Sequence, residues 1–206
     1  MILVKINAED DTLLAQKHHI SGYPTGVLIN ADESEIDRIV GYAEVDEYLQ
    51  ILRDYKKGIG TLDDLLNRAK TEEDRNLYFE IADKFKYRGG QDDAISWFNK
   101  VIESGEPKDS LSTEGRMAIA NLFYRAKDYP TALGHYKAVS ADFADGYFGE
   151  ESRIWQGLVL KKVGDTTMAL SVFESFIKNF PEAVDFEYVT KQIAKLKPQD
   201  EEEEKE

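Results

Sequence analysis

Residues 116–140 read RMAIANLFYRAKDYPTALGHYKAVS, and this stretch decides the fold. An apolar and small pair, Ile119-Ala120, is followed three residues on by the bulky Phe123. A polar turn comes next, then Ala132, and four residues later Tyr136. The order recurs in LYFEIADKFKYRGGQDDAISWFNKVIE (77–103) and in IWQGLVLKKVGDTTMALSVFESFIKNFP (154–181). The mid-helix pairs there are Ile81-Ala82 and Gln156-Gly157, with Phe85 and Leu160 three further on. Ala94, Ala132 and Ala169 lie 38 and 37 residues apart, and Phe98, Tyr136 and Phe173 each follow by four.

That pattern is a packing code. Two helices approach closely only where one offers Ala or Gly, and a neighbouring aromatic fills the space beside it. Repeating such a unit buries a continuous core between hairpins. Chance spacing in an irregular helical bundle is the competing account, and three in-register copies argue against it. From Thr61 onward we find no strand pattern. TLDDLLNRA (61–69) puts Leu62, Leu65, Leu66 and Ala69 on one helical face, and Thr71 with Asp74 suggests a capping arrangement for the next helix. After the third copy, EAVDFEYVTKQIAKL (182–196) aligns Phe186, Val189, Ile193 and Leu196, with Lys191, Gln192 and Lys195 expected to face away. That suits a terminal capping helix. EEEEKE at the end reads as a solvated, disordered charge run.

The three segments resemble tetratricopeptide repeats, a unit of about 34 residues with small residues at the eighth and twentieth positions. The third copy ends on Phe180-Pro181, as that family's units do. The position-four aromatic is kept only as Tyr78 and is Arg116 and Arg153 in the other copies. The resemblance implies an all-α solenoid over 61–197, with repeats at about 75–108, 113–146 and 150–183, a capping helix at 183–197, and an acidic tail at 198–206. It also implies a protein- or peptide-binding groove lined by the first helix of each pair: Phe79, Asp83 and Lys86; Met117, Asn121 and Tyr124; Ile154, Leu158 and Lys161. Filling of that groove by the amino-terminal part or by the last helix is the alternative.

The first 57 residues differ. ILVKIN (2–7) is a short branched run fit for a buried strand, and TLLAQKHH (12–19) a helix that Asp10 or Asp11 caps. GVLIN (26–30) and DRIVG (37–41) read as strands about a polar turn. VDEYLQILRDYKKG (45–58) is a helix closed by lysines near its negative dipole end and by Gly58. This strand-helix-strand-strand-helix order, with GYPT at 22–25, resembles the carboxy-terminal part of a thioredoxin-like domain, an α+β fold. The resemblance implies a cis proline at Pro24 and peptide contacts from Tyr23, Pro24 and Thr25. That family's earlier strands and its Cys-x-x-Cys have no counterpart here. A missing middle strand leaves ladder groups unpaired, which is costly. We therefore expect either an amino-terminally truncated form of a longer protein or a partner that complements the sheet; truncation is the reading carried forward.

Composition bounds the rest. A net charge of −14 repels phosphate, so no nucleic-acid or anionic membrane partner is expected. With no cysteine, the chain lacks thiol nucleophiles and thiolate metal sites, and we expect no cofactor and no metal. MILVKINAEDD is not a signal peptide, and the chain reads as soluble and cytoplasmic. His18 and His19 point about 100° apart on a helix, and the acidic pairs sit at helix starts, so neither implies a site. The expected function is a non-enzymatic protein-interaction module, with homo-oligomerisation possible but not required. The alternative is the carboxy-terminal part of a thiol-disulfide oxidoreductase whose Cys-x-x-Cys lies upstream of Met1.

Overall fold

The computed structural model describes residues 4–197. The elements in order are α1 (Thr12–Lys17), β1 (Thr25–Ile29), β2 (Glu35–Val40), α2 (Val45–Tyr55), α3 (Leu62–Arg68), α4 (Arg75–Tyr87), α5 (Gln91–Glu103), α6 (Ser110–Arg125), α7 (Tyr129–Asp142), α8 (Gly146–Lys162), α9 (Thr166–Asn179) and α10 (Phe186–Leu196). The protein is mostly helical, with a small antiparallel sheet near its start. The chain forms two compact units, Met1–Ser104 and Gly105–Glu206.

In the first unit, β1 pairs with β2 in the register Gly26↔Ile39 and Leu28↔Asp37. Gly26 is where α2 closes on the sheet: a Cβ there would lie 2.0 Å from the Tyr48 hydroxyl, so a larger residue would have to push that ring aside. Asp11 caps α1 by accepting from the Leu14 N–H. The Tyr23–Pro24 peptide bond is cis. The strand expected at 2–7 is not present over its described part. Val4–Asn7 have no ladder partner, and Val4 is 69% exposed. A strand is stabilised only by the neighbour it pairs with, and no strand lies beside this run among the described residues. Ile2 and Leu3 fall outside the described residues, as does the acidic tail. The Thr71–Asp74 box does not form either: Asp74 caps α4 by accepting from the Asn76 N–H, while Thr71 bonds back to the Arg68 carbonyl.

Among the described residues, consecutive helices pack in pairs as α4/α5, α6/α7 and α8/α9. The first helices of the second and third begin earlier than expected, at Ser110 and Gly146. The first hairpin falls in the same compact unit as the sheet. Ala94, Ala132 and Ala169 are completely buried, and so are Phe98, Tyr136 and Phe173. Among the described residues of the second unit, two core clusters stand out. One gathers Met117, Ala120, Ala132, Tyr136, Val139 and Val159. The other gathers Ile154, Leu160, Ala169, Phe173, Phe176, Val189 and Ile193.

The arginines at repeat position four have a use that an aromatic would not. Arg153 donates to the carbonyls of Ser140, Phe143 and Gly149, satisfying the end of α7. Arg116 pairs with Asp142 at 2.7 Å. Helix α10 buries Val189 and Ile193 as expected, but Gln192 is buried too (6% exposed), because its amide oxygen accepts from Lys161 Nζ at 2.8 Å. Phe186, expected in the apolar stripe, is 36% exposed.

The closest helix approach is at Gly157, where an added Cβ would meet the Phe173 ring at 2.3 Å. Gly157→Ala raises helix propensity by about 1 kcal/mol. The overpacking it forces costs typically ~1–3 kcal/mol. We expect net destabilisation in urea titration; a variant more stable than the parent would contradict the α8–α9 packing described here.

Candidate functional site

Three places in the described chain bear polar or aromatic groups that packing alone does not account for.

The first is a buried charge cluster on β2. Asp37 is completely buried. Its carboxylate lies 2.9 Å from Lys84 Nζ and 2.8 Å from an Arg88 Nη, and it accepts from the backbone N–H of Leu62 at 2.7 Å and of Arg38 at 2.7 Å. Glu35 pairs with Arg38 and, at 3.2 Å, with Arg88. Lys84 also donates to the Tyr55 hydroxyl at 3.0 Å, and Arg38 to the carbonyls of His18 and Tyr87. Burial works to push the Asp37 carboxyl up. The Lys84 ammonium, the Arg38 N–H and the Arg88 guanidinium outweigh it and hold the acid below the usual carboxylate range. Every cation here is matched and the Asp37 carboxylate is fully buried, so the cluster fastens β2 to α2, α3 and α4. Sequence reasoning did not single it out: Asp37, Arg38 and Ile39 are buried in succession, so no alternation along EIDRIV marks the aspartate.

The second is the loop at Tyr23, Pro24 and Thr25. Tyr23 is 70% exposed. It borders an open depression of about 530 Å³ together with Ala8, Thr12, Ala15, Gln16 and His19. Thr25 begins β1 and donates to the Gly22 carbonyl, while the Pro24 carbonyl accepts from the Gly41 N–H. Only Tyr23 therefore has a free side chain to offer.

The third is the face of the first helices. In the first unit, Phe79 sits edge-on to Phe98 at 5.2 Å, and Asp83 pairs with Lys86. In the second unit, Met117 and Ile154 are core residues, 5% and 6% exposed, and do not line an open surface. Asn121 accepts from the Tyr136 hydroxyl at 2.6 Å and so supports the core. Burial pushes the Tyr136 hydroxyl far above its ordinary value, so it stays a donor. Lys161 is engaged by Gln192. Tyr124 and Leu158 remain half-buried. Tyr124 packs edge-on against Trp155 at 5.2 Å and Tyr129 at 5.7 Å, and Trp155 stacks on Tyr136. Two residues that the repeat pattern did not mark join this face: Tyr147 on α8, 70% exposed, and Tyr188 on α10, 42% exposed.

The histidines do not form a site. His135 stacks on Phe123, and burial lowers its pKa, so the imidazole is neutral at pH 7. His19 takes a positive φ of 52° beside Gly89. Among the described residues, no group of three His, Cys, Asp or Glu side chains could hold a metal ion, and no helix is long and apolar enough to cross a membrane.

No family model matches the chain, and no curated protein does. Among solved structures, a crystal structure of MamA is similar over 76% of this chain and 94% of its own, at 12% identity and a TM-score of 0.45, a likeness too slight to bear on function.

The charge cluster gives a direct test. The folded-state pKa of Asp37 lies below its unfolded value, so its contribution is present above about pH 4 and is lost as the pH falls further. Asp37→Asn leaves the largely buried Lys84 without its carboxylate partner, while Arg88 keeps Glu35, and is expected to cost up to about 3–5 kcal/mol in guanidinium unfolding. The variant is also expected to flatten the acid limb of the stability profile. Parent-like stability at pH 7 would contradict this account.

Proposed function

We propose that this protein is a non-enzymatic interaction module. Its tetratricopeptide-like hairpins would hold a protein or peptide partner, and its first 57 residues would be a redox-inactive, partial thioredoxin-like domain. The observation that carries the reading is the face of α6, α8 and α10, where Tyr124, Tyr147, Trp155, Leu158 and Tyr188 remain at least partly exposed. Large aromatics left accessible on rigid helices are the groups that anchor protein interfaces. The chain has no cysteine with which to begin thiol exchange. The helix-strand-strand-helix order and the placement of Tyr23 beside an open depression support the thioredoxin-like resemblance, with Tyr23, Pro24 and Thr25 as a second peptide contact. A longer oxidoreductase parent, with its thiols upstream, would use the same two surfaces to gather substrates.

Replacing Tyr124 and Leu158 together by alanine removes two anchors from this face while keeping helix propensity. We expect partners captured on the parent chain to be lost from the variant by about tenfold or more, with the helical circular dichroism unchanged. Equal partner recovery from parent and variant would overturn the reading.

A further inference from the structure

The first unit leaves one strand edge unpaired. Flanking β1, the Pro24 carbonyl accepts from the Gly41 N–H, and the Asn30 N–H donates to the Ser34 carbonyl. The alternation of an antiparallel ladder puts Gly26 and Leu28 on that same side, facing β2. The N–H and C=O groups of Thr25, Val27 and Ile29 therefore point to the opposite edge, where no backbone group among the described residues bonds them. Edge strands are ordinarily guarded by charge or proline. β2 carries Glu35, Asp37 and Arg38, whereas TGVLI (25–29) carries neither guard, and Ile29 is 46% exposed. The same unit holds a second orphan, the VKIN run at 4–7, whose Val4 and Ile6 are 69% and 48% exposed. Ala8, just after that run, and Tyr23, two residues before β1, border one open depression of about 530 Å³. The end of the run and the start of the strand thus flank a common gap.

An unguarded edge and an unpaired run of strand composition satisfy each other when they meet. Within one chain no ladder joins them. We propose that two copies of this chain associate about a two-fold axis, residues 4–7 of each entering the gap of the other and pairing with its β1. Each copy gives a strand and receives one, so the interface is isologous and closes at a dimer. Backbone hydrogen bonds to Thr25, Val27 and Ile29 supply the affinity, and Val4 and Ile6 leave water. Charge favours this occupant. Residues 1–7 hold Lys5 and no acid, so the remainder that receives them carries −15, the total of −14 less the +1 of Lys5. A basic, acid-free strand is drawn to such a body, and an acidic segment is repelled. Repulsion between the two acidic bodies is screened beyond about 8 Å at physiological ionic strength, while the exchanged strands are in contact. This surface lies in the first unit, apart from the aromatic face of the second, and is independent of partner binding there.

Sedimentation velocity of the full chain, followed from about 1 to about 100 μM, reads the association. The parent is expected to pass from one chain mass to two. Ile6→Pro sits in an exposed run outside every helix and strand and removes a backbone donor. Ile29→Lys puts a guard on the half-exposed end of β1. Each should raise the dimer dissociation constant about tenfold or more, with the circular dichroism unchanged. Tyr124→Ala, in the second unit, should leave it within about twofold of the parent. Amide exchange at Val27 and Ile29 should slow as the dimer forms. A parent that stays monomeric across the range overturns the proposal, whatever other segment then protects β1. A dimer as stable in I6P and I29K as in the parent, or weakened as much by Tyr124→Ala, overturns it as well. So does a dimer in which Val27 and Ile29 exchange as fast as in the monomer.

Discussion

The first half of the molecule depends on one buried carboxylate. Asp37 lies within hydrogen-bonding reach of two cations and two backbone N–H groups supplied by β2, α3 and α4. A charge removed from water is tolerable only when matched in this way. A two-stranded sheet is marginal alone, so the cluster gives it what a third strand would otherwise provide: something to pack on. The consequence is architectural. The first helical hairpin is built into the same compact unit as the sheet, and the chain divides after Ser104.

A different constraint governs the second unit. Each hairpin closes where a small residue admits a ring, and Gly157 against Phe173 is the tightest instance. With Ala120, Ala132, Ala169, Tyr136 and Phe173 buried, several large rings on the first helices stay partly exposed. Tyr124, Tyr147 and Trp155 stand there as the remainder of a pattern whose other members form the core. Gln156 donates to the Ser140 hydroxyl at 2.8 Å, so even the polar member of the third pair is satisfied internally.

The repeats were legible because their information is local. Helix period, the small residue and the aromatic four later all fall within one hairpin, and the structure buries those residues. The branched run at VKIN has strand composition, but strand stability comes from a neighbour that it does not have among the described residues. Helical period alone points Gln192 outward, and it does not show that Lys161 reaches it from another helix. The Asp37 cluster joins residues 25 to 51 positions apart in the chain, and no single window of sequence displays such a match. Likewise, of the nine groove positions carried over from the repeat pattern, Met117 and Ile154 lie in the core. The exposed rings of Tyr147 and Tyr188 fall outside that pattern.

Native-state hydrogen exchange measures the central claim most directly, because it reports which segments open together. If the Asp37 cluster fuses the sheet to the first hairpin, the β2 amides and those of Ile81 and Ala82 in α4 exchange through one shared opening, with the same free energy and the same dependence on denaturant. Exchange of the β2 amides through a separate, lower-energy opening that leaves α4 fully protected would contradict it.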